Sequence, residues 1–337
     1  MVYDCFSFFN ELDLLEIRLN VLKDVVDKFV LVEATRTHTG AEKSLYFKEN
    51  EARFSAFRDR IVHIVVDDFT LADAASSIRE RAWAIENIQR NAVLRGLGDA
   101  KADDTILISD LDEIPDPDAV RRVVGLSGIT RFGMKAYNYF LNYRNYTSDQ
   151  WLLGTQALSY SEFCNPSIYE GFRFGEYVIE RVNAVPSASM VRFMEPTRVL
   201  RNAGWHFSYM GGIEMIRKKI KSIAHTEFNT EATTSKEWIK VRIENGEDPF
   251  RRGDRYFADV VDASFPAYLR DNQERFRDML YAVDDDYLKR TACQRRKAMF
   301  FGRMKRIAVF LIPTVAVPFV MRTWNRLHGV RSSKDAL

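Results

Sequence analysis

The stretch ILISDLDEIPD, residues 106–116, runs an apolar strand straight into a cluster of carboxylates. Thr105-Ile106-Leu107-Ile108 has the continuous apolar character of a strand buried on both faces. Side chains alternate along an extended chain, so Asp110 and Asp112 are expected on one side of it, where two carboxylates can share a hard cation. Working outward, Tyr3 to Phe9, Phe29 to Val32 and Ile61 to Val66 read as further short strands. Between them Leu12, Leu15, Leu19 and Leu22 recur at helical spacing, and Ile78 to Leu97 reads as a helix with Gly96 or Gly98 at its exit. Strands alternating with helices predict an α/β fold with a mainly parallel, doubly wound sheet. Ligands of such sheets sit beyond the carboxyl ends of the strands.

Composition narrows the function classes. Hydrophobic residues make up 46% of the 337-residue chain and charged residues 28%, which predicts a folded protein with a substantial core. A net charge of +2 excludes a general nucleic-acid binder. Cys5, Cys164 and Cys293 are far apart and form no CxxC pair, so free thiols are expected. The opening residues lack the basic, apolar and small-residue regions of a signal peptide, and the expected location is cytoplasmic.

Between about residues 131 and 209 the chain turns aromatic, which predicts strands and loops rather than long helices. Tyr137 to Trp151 reads either as ordinary core or as an aromatic wall against which sugar rings lie. Ile213 to Ala224 and Ser235 to Glu244 return to helical patterns. The predicted division is a catalytic domain over 1–255 and a C-terminal helical extension over 256–337. Within the extension, IAVFLIPTVAVPFVM (307–321) is flanked by Arg303, Lys305, Arg306, Arg322 and Arg326. It is shorter than the roughly 20 residues of a spanning helix and is interrupted by Pro313 and Pro318. Two readings stand: a basic, apolar segment lying at the inner face of the cell membrane, or a segment packed on the protein's own core.

The Asp-x-Asp itself admits more than one chemistry. Asp110 and Asp112 can hold Mg²⁺ or Mn²⁺ with positions open to substrate phosphates. An aspartate-nucleophile phosphatase would use Asp110 to attack phosphorus. A non-catalytic carbohydrate- or membrane-binding protein could keep the fold, and Asp116 and Asp118 are positioned to cap the following helix.

Beyond this point the chain resembles glycosyltransferase family 17. The resemblance rests on FFNELDLLEIRL (8–19), FVLVEATRTHTG (29–40), QRNAVLRGL (89–97), DLDEIPD (110–116) and AGWHFSYMGG (203–212), in that order over about residues 3–255. It implies a GT-A-type fold and an inverting transfer from a nucleotide sugar, expected to be UDP-N-acetylglucosamine, to a glycan or lipid-linked saccharide. It also implies roles at the strand ends. Glu11 and Glu33 would meet the uracil or ribose, although Glu11 also reads as a helix-start carboxylate. Arg36, Arg79 and Arg90 would meet phosphates, and His206 would join Asp110 and Asp112 on the metal. Glu214 is the first choice for the base, with Glu170 and Asp149 behind it. The Golgi members' N-terminal anchor has no counterpart here, and the chain beyond about Arg255 departs from theirs.

Overall fold

Alternation along the first strands sorts their side chains into two separate cores. The computed structural model describes residues 1–148, 150–173, 175 and 177–311. β1 (Val2–Phe8), β2 (Lys28–Ala34), β3 (Ile61–Val66) and β4 (Thr105–Asp110) run parallel, with β1 between β2 and β4. Phe6, Phe8, Phe29, Leu31 and Leu107 face the helix Leu12–Leu22 on one side of the sheet. Cys5, Val30, Val32, Ile106 and Ile108 face the helix Ile78–Asn91 on the other. β2 and β4 are buried on both faces along most of their length and read as continuous apolar runs, whereas β3 is a half-buried edge strand. The predicted helix over 78–97 ends at Asn91 and tightens into a 3₁₀ turn through Gly96. A Cβ on Gly96 would lie 2.5 Å from a Val30 methyl, so this glycine serves close packing against β2.

After β4 the chain makes β5 (Glu113–Pro115), β6 (Thr130–Phe132), β7 (Lys135–Asn138), β8 (Tyr143–Asn145), β9 (Gln156–Ser159), β10 (Arg198–Leu200), β11 (Gly204–Ser208) and β12 (Tyr256–Ala258). The first sheet has the order β10-β6-β9-β4-β1-β2-β3, with β9 antiparallel to both β4 and β6. The fold is therefore mixed α/β with mostly parallel strands in its main sheet. A second sheet, β12-β8-β7-β11-β5, is built from the aromatic region. Its strands are three to five residues long and, apart from the β7–β8 hairpin, pair across large sequence distances.

The division predicted at residue 255 does not coincide with a gap in the packing. β12 begins at Tyr256 and pairs with β8, and Phe265, Leu269 and Phe276 belong to the core beneath the helix Leu12–Leu22. The helix Asp285–Leu311 follows, with Tyr287 and Ala298 buried. It contains the first residues of the basic, apolar segment, and positions 312–326 of that segment lie outside the described residues. Among the described residues no helix is long and apolar enough to cross a membrane. All three cysteines are free thiols.

Candidate active site

The strand order reverses at β1, and the carboxyl ends of β1 and β4 open into a cleft of about 1160 Å³. Doubly wound sheets bind ligands at such a switch point. Asp110 closes β4, and the chain then turns through Leu111 and Asp112 into β5. The two aspartates thus meet across a turn rather than along one extended strand, and both line the cleft. Asp116 caps the next helix as expected, accepting from the Asp118 and Ala119 amides with Pro117 at the first helical position.

A buried arginine holds that turn. Arg18 donates from Nη1 to the carbonyls of Asp110, Leu111 and Glu113, at 3.1, 3.0 and 2.8 Å. Its Nε and Nη2 grip the Asp4 carboxylate at 2.8 and 2.5 Å, which neutralises a charge with no access to water. Arg192, from the helix Ala188–Phe193, reaches the same place from the other side. It pairs with Glu113, reaches Asp110 Oδ2 at 3.3 Å and donates to the Gly154 carbonyl at 2.8 Å. Glu113 also accepts from the Trp151 indole at 2.7 Å and from the Asp110 amide at 3.2 Å.

Asp110 keeps 38% of its side chain exposed to the cleft, and Arg90 Nη2 donates to its Oδ1 at 2.9 Å. Burial alone would push the Asp110 carboxyl up, but Arg90 and Arg192 outweigh it and hold the group well below the usual carboxylate range. Arg90 also pairs with Glu86 at 2.8 Å, while its Nε and Nη1 are buried without a hydrogen-bond partner in the protein. Asp112 Oδ2 accepts from Lys219 Nζ at 2.7 Å, and the same ammonium lies 3.3 Å from Glu11 Oε1. Burial raises the Asp112 carboxyl and Lys219 more than offsets this, so Asp112 too is held ionised. Lys219 is pushed up by its two carboxylates in spite of burial.

His206 arrives through the second sheet. β11 pairs antiparallel with β5, setting His206 opposite Glu113. A Cβ on Gly204 would lie 2.3 Å from the Ile114 carbonyl oxygen, so glycine is what lets β11 lie there. His206 Nε2 stands 3.7 Å from Asp112 Oδ1, and its ring stacks on Trp151 with centroids 4.5 Å apart. Burial holds the imidazole pKa down against Asp112 and Glu113, which favours the neutral ring with a lone pair to offer.

Of the residues singled out in the sequence, Glu11, Arg36, Arg90, Asp110, Asp112 and His206 line this one cleft. Arg36 is held there by both oxygens of Asp73, at 3.0 and 3.1 Å. Glu33 does not reach the cleft: it is fully buried, accepting from the Phe47 amide at 3.0 Å and from His63 at 3.1 Å. Arg79 is exposed on the first turn of its helix, away from the cleft lining. Glu214 faces outward, 64% exposed and paired with Arg217 and Lys236. Glu170 is also exposed, with Ser167 as a hydrogen-bond neighbour, and Asp149 lies outside the described residues. In the aromatic stretch, Tyr137, Tyr139 and Tyr143 are core, whereas Trp151 lines the cleft. Arg18, Arg192 and Lys219 were missed. The available signal was a basic residue inside an otherwise apolar periodic stretch, as in LLEIRL (14–19).

The sequence model of glycosyltransferase family 17 matches residues 1–180. The beta-1,4-mannosyl-glycoprotein 4-beta-N-acetylglucosaminyltransferase of Rattus norvegicus is 30% identical over 125 residues, or 35% of this chain and 22% of the relative. The Homo sapiens enzyme of the same name is 31% identical over 117 residues, or 33% of this chain and 21% of the relative. The matched part is about a fifth of the length of each of these curated relatives.

Proposed function

The chain belongs to glycosyltransferase family 17, and from that premise we propose that it is an inverting, metal-dependent transferase of GT-A type. The proposed donor is UDP-N-acetylglucosamine, and the proposed acceptor is a glycan or a lipid-linked saccharide. The observation that carries this reading is the convergence, at the switch point of the main sheet, of two ionised aspartates with a buried arginine whose Nε and Nη1 have no partner in the protein. A diphosphate would supply acceptors for that guanidinium. Glu11, beyond β1, lines the same cleft, which supports a role for it at the ribose or uracil.

The residues present fit a divalent cation. Asp110, Asp112, Glu113, Glu11 and Glu86 bring five carboxylates to the neighbourhood of three cationic side chains, Arg90, Arg192 and Lys219. The surplus is the charge that Mn²⁺ or Mg²⁺ carries. Asp110 and Asp112 would hold the ion, with His206 beside Asp112. Among the described residues no three His, Cys, Asp or Glu side chains are gathered to hold a metal unaided. When bound, such an ion neutralises charge growing on the departing diphosphate. Lys219 bridges the Asp112 and Glu11 carboxylates, and Arg18 and Arg192 hold the turn at residues 110–113 that carries the two aspartates.

The exposed Phe300, next to Lys297 and Arg303 on the helix Asp285–Leu311, supports peripheral contact with an anionic membrane surface. Salt-sensitive sedimentation with anionic vesicles tests that part separately.

For the catalytic reading, UDP should raise the melting temperature in the presence of Mn²⁺ and much less with the metal chelated. Asp112→Asn should keep its circular dichroism spectrum and lose about 10²–10³-fold in UDP release from UDP-N-acetylglucosamine, the scale of one preorganised electrostatic contact. A folded Asp112→Asn with normal turnover under chelation overturns the proposal. A phosphoryl group trapped on Asp110 would instead support the phosphatase.

A further inference from the structure

Transfer to a hydroxyl requires a group that takes the hydroxyl proton, and Glu214 faces away from the cleft. The five carboxylates around the aspartate turn answer to Arg90, Arg192 and Lys219. Asp254, also in the lining, has Asn145, Arg252 and Lys305 about it. Glu227 differs from all of these, because its partner is an imidazole. His225 Nδ1 and Glu227 Oε1 are 2.7 Å apart, and both residues line the cleft. An ionised carboxylate only accepts, so the proton of this bond lies on Nδ1 and the lone pair of the neutral ring on Nε2. The other two imidazoles of the lining are engaged. His38 lends its nitrogens to Glu86 and Gln89, at 3.5 and 3.1 Å, and His206 stands beside Asp112.

The His225 ring is held in a frame of other rings. Trp83, Tyr177 and Phe228 stand around it with centroids 4.8, 5.6 and 5.5 Å away. Phe228 stacks in turn on Phe250 at 4.2 Å, and its amide donates to the His225 carbonyl at 3.1 Å. Asn87 Nδ2 fixes Tyr177 by donating to its carbonyl at 3.0 Å. Trp83 adds an independent sign of a ligand. It lines the cleft, is 2% exposed, and its indole N–H is buried with no acceptor in the protein. Buried donors are ordinarily satisfied, and an oxygen of a bound sugar would supply the missing acceptor. Trp83 and Arg90 lie seven residues apart on one side of the helix Ile78–Asn91, about 10 Å along its axis. With a diphosphate on Arg90, that interval holds the donor sugar and puts the dyad on its far side.

We infer that His225 is the general base of the transfer and that Glu227 is its positioning residue. The inference rests on the transferase reading above and adds the residue that moves the proton. His225 Nε2 takes the proton of the attacking hydroxyl while its oxygen bonds to the anomeric carbon of the donor sugar. The bond from that carbon to the diphosphate breaks, UDP leaves with the electron pair, and the imidazolium afterwards gives its proton to solvent. Attack from the side opposite Arg90 inverts the anomeric centre. The Glu227 carboxylate keeps Nε2 as the accepting nitrogen and stabilises the imidazolium.

The test uses the full chain with UDP-N-acetylglucosamine and Mn²⁺, with water as the acceptor and sodium azide as the probe. His225→Ala should lower UDP release by about 10²–10⁴-fold, the scale of a general base, while UDP with Mn²⁺ raises its melting temperature as it does that of the native chain. Azide is already an anion and needs no base. It should therefore restore UDP release in His225→Ala and leave N-acetylglucosaminyl azide, detected by mass spectrometry. Glu227→Gln should show a smaller loss with the same rescue. In the native chain, nitrogen-15 shifts should place the proton of the neutral His225 ring on Nδ1. Normal release in His225→Ala, a loss that azide does not restore, or a ring proton on Nε2 overturns the inference. So does Asp254→Asn showing the loss and the rescue while His225→Ala stays active, since Asp254 would then be the base. If the native chain neither binds UDP with Mn²⁺ nor releases it from the donor, the transferase reading fails and the base with it. Native turnover with an unaffected His225→Ala removes the base alone.

Discussion

Arg18 is the residue on which the aspartate turn depends, and it is fully buried. Its guanidinium is matched by Asp4 on one edge and by three backbone carbonyls of residues 110–113 on the other. Removing one member of such a pair leaves an uncompensated charge in a medium that cannot solvate it. Arg18→Met should therefore cost about 3–5 kcal/mol, read as a lower urea midpoint at unchanged slope. Asp4→Asn with Arg18→Met should cost less than the two separate losses added together, because the orphaned charge is gone. A loss below about 1 kcal/mol for Arg18→Met would show that the turn holds itself. At this scale the sequence was legible only in part. Asp110, Asp112 and His206 stand out because carboxylates and an imidazole at strand ends are recognisable chemistry. Arg18 and Arg192 sit on helices, where a basic residue ordinarily faces water, and only the tertiary arrangement turns them inward.

The helix Gly212–Ser222 carries two charged residues whose fates differ. Ile216 and Ile220 are buried and set its inner face. Lys219, next to Ile220, swings to the cleft, while Glu214, about 140° away round the helix at roughly 100° per residue, meets Arg217 and Lys236 at the surface. Glu214→Gln should leave the urea midpoint essentially unchanged and UDP release within about twofold. Lys219→Met should lower UDP release by about 10–100-fold, the range for losing a side chain that orients a site's charged groups. Turnover lost in Glu214→Gln and kept in Lys219→Met would reverse these assignments. The phase of this helix was readable from its isoleucines, yet closeness to His206 along the chain does not establish closeness in space. Among the parallel strands, β2 and β4 were legible because burial on both faces writes itself as continuous apolar runs. The second sheet was not, since strands of three to five residues carry too few alternations to declare a period, and outside the β7–β8 hairpin their partners lie far along the chain.

Over the whole molecule, the segment after β12 is tied back to the helix Leu12–Leu22 at Glu16. Arg53 donates to this carboxylate at 3.0 and 2.7 Å, Tyr268 at 2.8 Å and Arg275 at 2.5 Å. Burial would raise the Glu16 pKa, but the bonds from Arg275, Arg53 and Tyr268 prevail and hold it below the ordinary 4.5. A carboxyl depressed on folding stabilises the folded state above its unfolded value, and that stability is lost as pH falls below it. The native chain should therefore lose more of its urea midpoint between about pH 6 and pH 3.5 than Glu16→Gln does. Equal slopes for the two chains would mean that the network contributes nothing.

The same packing decides where the catalytic unit can be cut. A chain ended after Arg255 lacks β12, which is the partner of β8, and exposes the core surface that Phe265, Leu269 and Phe276 cover. Burying a large apolar side chain is worth about 1.5–3 kcal/mol, so these three together contribute roughly 5–9 kcal/mol. That is comparable to the whole stability of an ordinary domain, about 5–15 kcal/mol. The chain 1–255 should give no cooperative thermal transition, although it contains every residue of the aspartate site. A chain ended after Arg296 keeps β12, the three core side chains, Tyr287 and Arg295. It loses Gly302, Lys305 and Arg306 from the cleft wall. It should melt cooperatively and keep metal-dependent UDP stabilisation. Differential scanning calorimetry of the two truncations beside the full chain decides the matter. A cooperative transition in 1–255 near the temperature of the full chain would show that the segment after residue 255 is an appendage after all. Loss of the transition in 1–296 would make the last turns of the helix part of the fold rather than only the wall of a site.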